Sequence, residues 1–209
     1  MYWLIKKDFL LQKKSFWLSL IIISFLPFTL SGLESAGFVM SILCVCYLFV
    51  FGASAHEDKS RGDVLLNSMP IRKTTIVLSK YASIYVFAAF GLIVNFLLSM
   101  LGDLFHIPRY GFPITLESIL AAFMAVTVLF SISLPMIFKL GFTKARIVNF
   151  ILFFGILVGT NMLSNRTNLA VLKDLPDLAV KGLALAGTVI LLIVSCLLSL
   201  YFYRNREFG

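Results

Sequence analysis

The chain has 209 residues, 60% of them hydrophobic and 13% charged, with a mean hydropathy of +0.97 and a formal net charge of +8. About half of an ordinary water-soluble domain is apolar, so a single soluble globule is excluded. All 18 basic and 10 acidic residues fall outside six windows, 15–33, 35–55, 81–102, 118–138, 147–165 and 182–203.

Each window is close to the roughly 20 apolar residues that cross a bilayer as a helix. The runs are continuous, whereas the strands of a membrane barrel alternate apolar and polar positions. The expected fold is therefore an all-α membrane protein, one transmembrane domain over 1–209 with six transmembrane helices. Their spans are about 15–33, 35–55, 74–102, 117–138, 147–165 and 181–203. No stretch between spans is long enough to build a core of its own.

In chain order, residues 1–15 mix Trp3, Leu4, Phe9, Leu10 and Leu11 with Lys6, Lys7, Asp8, Lys13 and Lys14, a composition that predicts an interfacial helix on the membrane surface. The first span carries Pro27, and the tight connection through Gly32, Glu34 and Gly37 folds spans one and two into an antiparallel hairpin. Cys44 and Cys46 in the second span and Cys196 in the sixth lie at membrane depth, where cysteine behaves as a small apolar residue; neither a disulfide framework nor a zinc spacing follows. Asn95 in the third span and Asn149 and Asn161 in the fifth read as interhelical hydrogen-bonding residues. Pro135 predicts a kink near the inner end of the fourth span. Between spans five and six, Leu169, Leu172, Leu175 and Leu178 recur at helical spacing, which predicts a short amphipathic surface helix broken at Pro176.

Charge sets the orientation. With six spans, one side of the membrane carries 14 of the basic residues and the other holds Arg109, Arg166, Lys173 and Lys181. Cytoplasmic loops are enriched in Lys and Arg, so both termini are expected in the cytoplasm. The positive charge is thereby explained by topology and by attraction to anionic membrane lipid, and no nucleic acid is called for.

The densest charge group is the loop 56–73. Glu57 and Arg61 are four apart in the favourable order for a helical pair, Val64, Leu65 and Leu66 supply an apolar patch, and Pro70 ends the element. This predicts a short amphipathic cytoplasmic helix. The order of an acidic residue at a span end, a charged stretch, Leu65-Leu66, then Met69-Pro70-Ile71-Arg72-Lys73 and Ile76-Val77-Leu78-Ser79-Lys80-Tyr81 resembles the ABC-2 type permeases of bacterial ABC exporters. Met69 departs from the Leu that many members place before the proline. The resemblance extends to the whole layout, with an N-terminal interfacial helix and six spans, and is narrower to the small exporters of amphipathic or antimicrobial peptides in Gram-positive bacteria, including the phenol-soluble modulin exporters.

That resemblance implies a bacterial plasma-membrane permease whose loop 56–73 is a coupling helix, with Glu57, Asp58, Arg61, Leu65 and Leu66 docking on a separate cytoplasmic ATP-binding subunit. It also implies export of an amphipathic or hydrophobic substrate, in particular a peptide. The chain has no Gly-x-x-x-x-Gly-Lys-Ser/Thr phosphate loop, so ATP is expected to be bound and hydrolysed by the partner, with no cofactor held here. A second permease copy or a homologue is the expected companion, since symmetric pairing is the usual way to frame a passage; Phe38, Cys44 and Tyr47 of span two, and span five, are candidates for that contact. No catalytic or metal-binding residues are assigned, and no substrate contacts are named. The spans hold no ionisable relay of the kind ion-coupled carriers keep, and His56 and His106 fall on opposite sides, which argues against an intramembrane enzyme. The other reading is a non-transporting membrane adaptor, an immunity or sensor subunit that holds a cytoplasmic partner.

Overall fold

A computed structural model of the chain describes residues 34–60, 72–104, 114–165 and 177–205, together with 3, 7, 21, 22 and 24–26. Five helices carry the architecture: α1 Glu34–Lys59, α2 Lys73–Leu104, α3 Leu116–Leu140, α4 Phe142–Asn165 and α5 Asp177–Asn205. Four of them hold segments long and apolar enough to cross a membrane, Ala36–Lys59, Lys73–Gly102, Leu116–Leu140 and Gly182–Asn205. The helix is the form that satisfies every backbone polar group within one segment, which hydrocarbon requires. The fifth window, 147–165, lies within α4. The first span, the interfacial helix and the surface helix after span five fall outside the described residues, apart from the few positions named above and the start of α5.

The bundle is built around α1. Phe38, Leu43, Val45, Cys46 and Phe49 are buried almost completely, and α1 packs on α2, α3 and α4. Phe49 stacks on Phe87 of α2 at 5.2 Å between centroids, and Tyr47 stacks on Phe153 of α4 at 4.3 Å. Phe38 is fully buried inside its own chain, which removes it from a contact with a second copy, whereas Tyr47 and Cys44 are only partly buried. At the α1–α2 crossing, a side chain added at Gly91 would meet Val45 Cγ1 at 3.3 Å, so the small residue is what lets the two backbones approach.

Polar side chains join the helices at few points. Ser41 Oγ of α1 shares its one proton between the Phe38 carbonyl at 2.8 Å and Asn95 Oδ1 at 3.0 Å, and Asn95 Nδ2 donates to the Gly91 carbonyl at 2.8 Å. Asn95 thus links two helices as its sequence position predicts. Asn149 does not: it is fully buried on α4, and neither atom of its amide has a hydrogen-bond partner among the described residues. The side chain of Asn161 is outside the described set.

Helix α3 has defined ends. Thr115 caps its start, accepting from the Ser118 N–H at 3.2 Å while the Thr115 N–H donates to Ser118 Oγ at 3.0 Å. Gly141, at φ 79°, ends it with its N–H on the Ile137 carbonyl at 2.9 Å, a left-handed conformation that glycine adopts without a Cβ penalty. Pro135 lies inside the helix and, lacking an N–H, leaves the Ser131 carbonyl without its helical donor. Ser195 Oγ of α5 supplies one at 2.6 Å. Ser195 has a single proton and it is used there, so the 2.6 Å contact with Tyr81 must be donated by the tyrosine, which in turn accepts from Ser199 at 2.9 Å. A directed chain, Ser199 to Tyr81 to Ser195 to the Ser131 carbonyl, binds α5, α2 and α3.

Candidate functional site

A group of charged side chains gathers at the end of the bundle where α1 stops and α2 starts. Helix α1 does not stop at the edge of its charge-free window but runs through Lys59, so Glu57 and Asp58 sit in its last turn. This corrects the expectation that the acids open a separate short helix. Ser60 closes the turn, its N–H and Oγ both donating to the His56 carbonyl, at 3.0 and 2.8 Å.

Glu57 and Asp58 differ in burial and in partners. Glu57 is 6% exposed, and its two carboxylate oxygens are taken by two different segments, Oε1 by Lys7 Nζ and Oε2 by Lys80 Nζ, each at 2.5 Å. An unpaired carboxylate at that burial would cost several kcal/mol, and the two ammonium groups offset it. This is the reason the helix can carry an acid so far into the packed bundle. A depression of about 30 Å³ beside the carboxylate, room for one water or so, is lined by Ser54, Ile76, Lys80, Leu134 and Tyr203.

Asp58 is exposed and accepts from Thr143 Oγ1 of α4 at 2.9 Å. Around the same rim Lys73 Nζ donates to the Arg204 carbonyl at 3.4 Å, and Lys139 lies 5.1 Å from the ring centre of Phe202. All five described helices therefore meet at this end through polar or cation–ring contacts.

Of the five residues expected to dock a partner, Glu57 and Asp58 are placed by the structure, and Arg61, Leu65 and Leu66 lie outside the described residues. The partners of Glu57 and Asp58, namely Lys7, Lys80 and Thr143, are additions to the sequence reading. A signal for one of them was present: Glu57 and Lys80 lie next to the facing ends of consecutive charge-free windows, with opposite signs. Lys7 carries no comparable mark, since Lys6 beside it is chemically the same.

A protein-family model described as ABC-2 family transporter protein matches residues 3–204. No curated protein and no solved structure matches the chain.

Proposed function

The chain belongs to the ABC-2 family of transporter permeases, and from that premise we propose that it is the membrane subunit of an ATP-driven exporter of amphipathic peptides. The separate ATP-hydrolysing subunit docks on the segment 56–73. Six spans with both termini in the cytoplasm of a bacterial cell put that segment, and the basic rim, on the side where ATP is available.

One observation supports this reading above the others: the buried Glu57 carboxylate that gathers Lys7, Lys80 and the last turn of α1. A docking loop transmits force only if its root is fixed to the helices it must move. Glu57 fixes the start of the loop to α2 beyond its end, and to the N-terminal segment. Asp58, Arg61, Leu65 and Leu66 then form the face presented to the partner, with Glu57 as their anchor. A second copy or a homologue meets the open face of α4, where Ile147, Ile151 and Phe154 are exposed.

The test is co-purification and vesicle transport. The chain, expressed with its partner ATPase and reconstituted, is expected to move an amphipathic peptide on ATP addition. An Arg61→Ala, Leu65→Ala, Leu66→Ala variant is expected to lose the ATPase from the complex and to lose transport with it. Retention of both would overturn the docking assignment, and a stable complex that moves no peptide with ATP would mark an adaptor instead.

A further inference from the structure

Helix α4 is held differently from the other four. Side-chain hydrogen bonds tie α1 to α2 through Ser41 and Asn95, α2 to α3 through Tyr85 and Thr127 at 3.1 Å, and α5 to both α2 and α3 through the Ser199–Tyr81–Ser195 chain. Among the described residues, the one side-chain hydrogen bond from α4 to another helix is Thr143 to Asp58, in its first turn. Its hold on α1 is otherwise apolar, with Phe142 against Phe51 and Phe153 on Tyr47, and such contacts are non-directional.

This helix carries Asn149, fully buried and without a hydrogen-bond partner among the described residues. Ser133 of α3 is in the same condition: fully buried, its hydroxyl unpartnered. Buried polar groups are nearly always bonded, so two such groups on helices that pack together call for a physical reason. Ser133 stands eight positions before Gly141 and Asn149 eight after it. Because α4 runs back along the bundle from that turn, both lie at one depth, about 12 Å from it at roughly 1.5 Å per residue. An amide and a hydroxyl each donate and accept, so the two groups can satisfy one another. Gly141 is the only residue between the two helices, and its φ of 79° makes it a place where the backbone turns without a Cβ to hinder it.

We propose that α4 pivots about Gly141 between two packings on α3, and that Asn149 and Ser133, unbonded in the packing described, hydrogen-bond to each other in the second. The unpaired groups raise the energy of the first packing and the bond lowers that of the second. The gap between the two is thereby small enough for a partner to tip. The input is at the rim: Thr143, two positions past the hinge, holds Asp58 at the root of the segment 56–73, so a displacement of that segment is delivered to the first turn of α4. This last step rests on the ATP-hydrolysing subunit docking there; the pivot itself does not.

The experiment places spin labels on Leu120→Cys of α3 and Val158→Cys of α4, both exposed and far from the hinge, where a pivot is magnified. The three native cysteines are replaced by alanine, and distances are read by pulsed electron resonance on the full chain in lipid nanodiscs. The chain alone is expected to show two distance components. Asn149→Leu and Ser133→Ala should each reduce the second about ten-fold, with unfolding midpoints unchanged or raised, and Ser133→Thr, which keeps the hydroxyl, should retain it. With the partner ATPase bound and trapped by vanadate, the second component should grow; Thr143→Val should keep it in the chain alone and lose that growth. A single component in the parent, a second component that survives in folded Asn149→Leu and Ser133→Ala, or lowered midpoints in both would overturn the pivot. Growth in Thr143→Val equal to the parent's would overturn the rim input. An ATPase that does not bind would overturn the docking reading alone, since the components of the isolated chain still decide the pivot.

Discussion

Ser195 of α5 donates to the Ser131 carbonyl of α3 at 2.6 Å, and that carbonyl is the one Pro135 deprives of its helical partner. The proline and the serine are thus two halves of one local solution, 60 positions apart in the chain. In water the freed carbonyl would be solvated at little cost. In a bilayer it must find a protein donor.

Removing Ser195 should therefore destabilise by about 1–2 kcal/mol, the penalty of a buried carbonyl left unpaired together with the loss of the Tyr81 acceptor. Pro135→Ala restores an N–H to the helix and should make Ser195→Ala milder. A double-mutant cycle, read by unfolding in detergent micelles, is expected to show coupling; additive effects would mean that the carbonyl is satisfied in some other way.

Glu57→Gln keeps the shape of the side chain and removes its charge from between Lys7 and Lys80. Truncating one partner of a buried ion pair leaves the other uncompensated, so a loss of roughly 2–3 kcal/mol is expected. Lys80→Met in the same chain should recover part of it, since Lys80 is the less exposed of the two lysines. Limited proteolysis supplies a second readout: the N-terminal segment, tied to the bundle through Lys7, should be cut faster in Glu57→Gln than in the parent.

Gly91 and Val45 make a size prediction. A Cβ at position 91 already lies 3.3 Å from Val45 Cγ1, so Gly91→Val overpacks the α1–α2 crossing and should cost about 1–3 kcal/mol. Val45→Ala in the same chain is expected to relieve it. Thermal unfolding of the single and double variants checks the pair, and an unrelieved double variant would locate the strain elsewhere.

The two buried asparagines should behave oppositely. Asn149 has no partner among the described residues and Asn95 has two. Asn149→Leu removes an amide that is buried without bonds and should be neutral or stabilising by about 1 kcal/mol, whereas Asn95→Leu breaks the link to Ser41 and should be destabilising. Unfolding midpoints of the two variants in the same micelle decide it. A strongly destabilised Asn149→Leu would contradict the burial argument.

Much of the bundle is legible in the linear chain. The windows without charge mark where helices cross, because an ionised side chain in hydrocarbon is costly enough to be expelled from most of each span. The helix ends are less so: α1 runs four residues beyond its window, to Lys59, because Lys7 and Lys80 make Glu57 tolerable there. The candidate site is half visible. Glu57 and Asp58 stand out as acids beside a span, but nothing local tells that one is buried against two lysines and the other is exposed beside Thr143.

What the sequence by itself determined is the class of molecule, the position of the five described helices, the segment 56–73 as the break in the pattern, and the family. Only the tertiary structure decided which helix is the core. Helix α5 has a more apolar span than α1, yet α1 is the buried one and α5 leaves Leu183, Ile190, Leu197 and Tyr201 exposed. In water, greater hydropathy would favour the interior. Lipid tails are as apolar as leucine, so hydropathy does not distinguish a helix facing lipid from one facing protein. The choice falls to close packing at Gly91 and to the few hydrogen bonds at Ser41, Asn95, Tyr81 and Ser195, whose partners lie tens of residues away and come together only in the folded bundle.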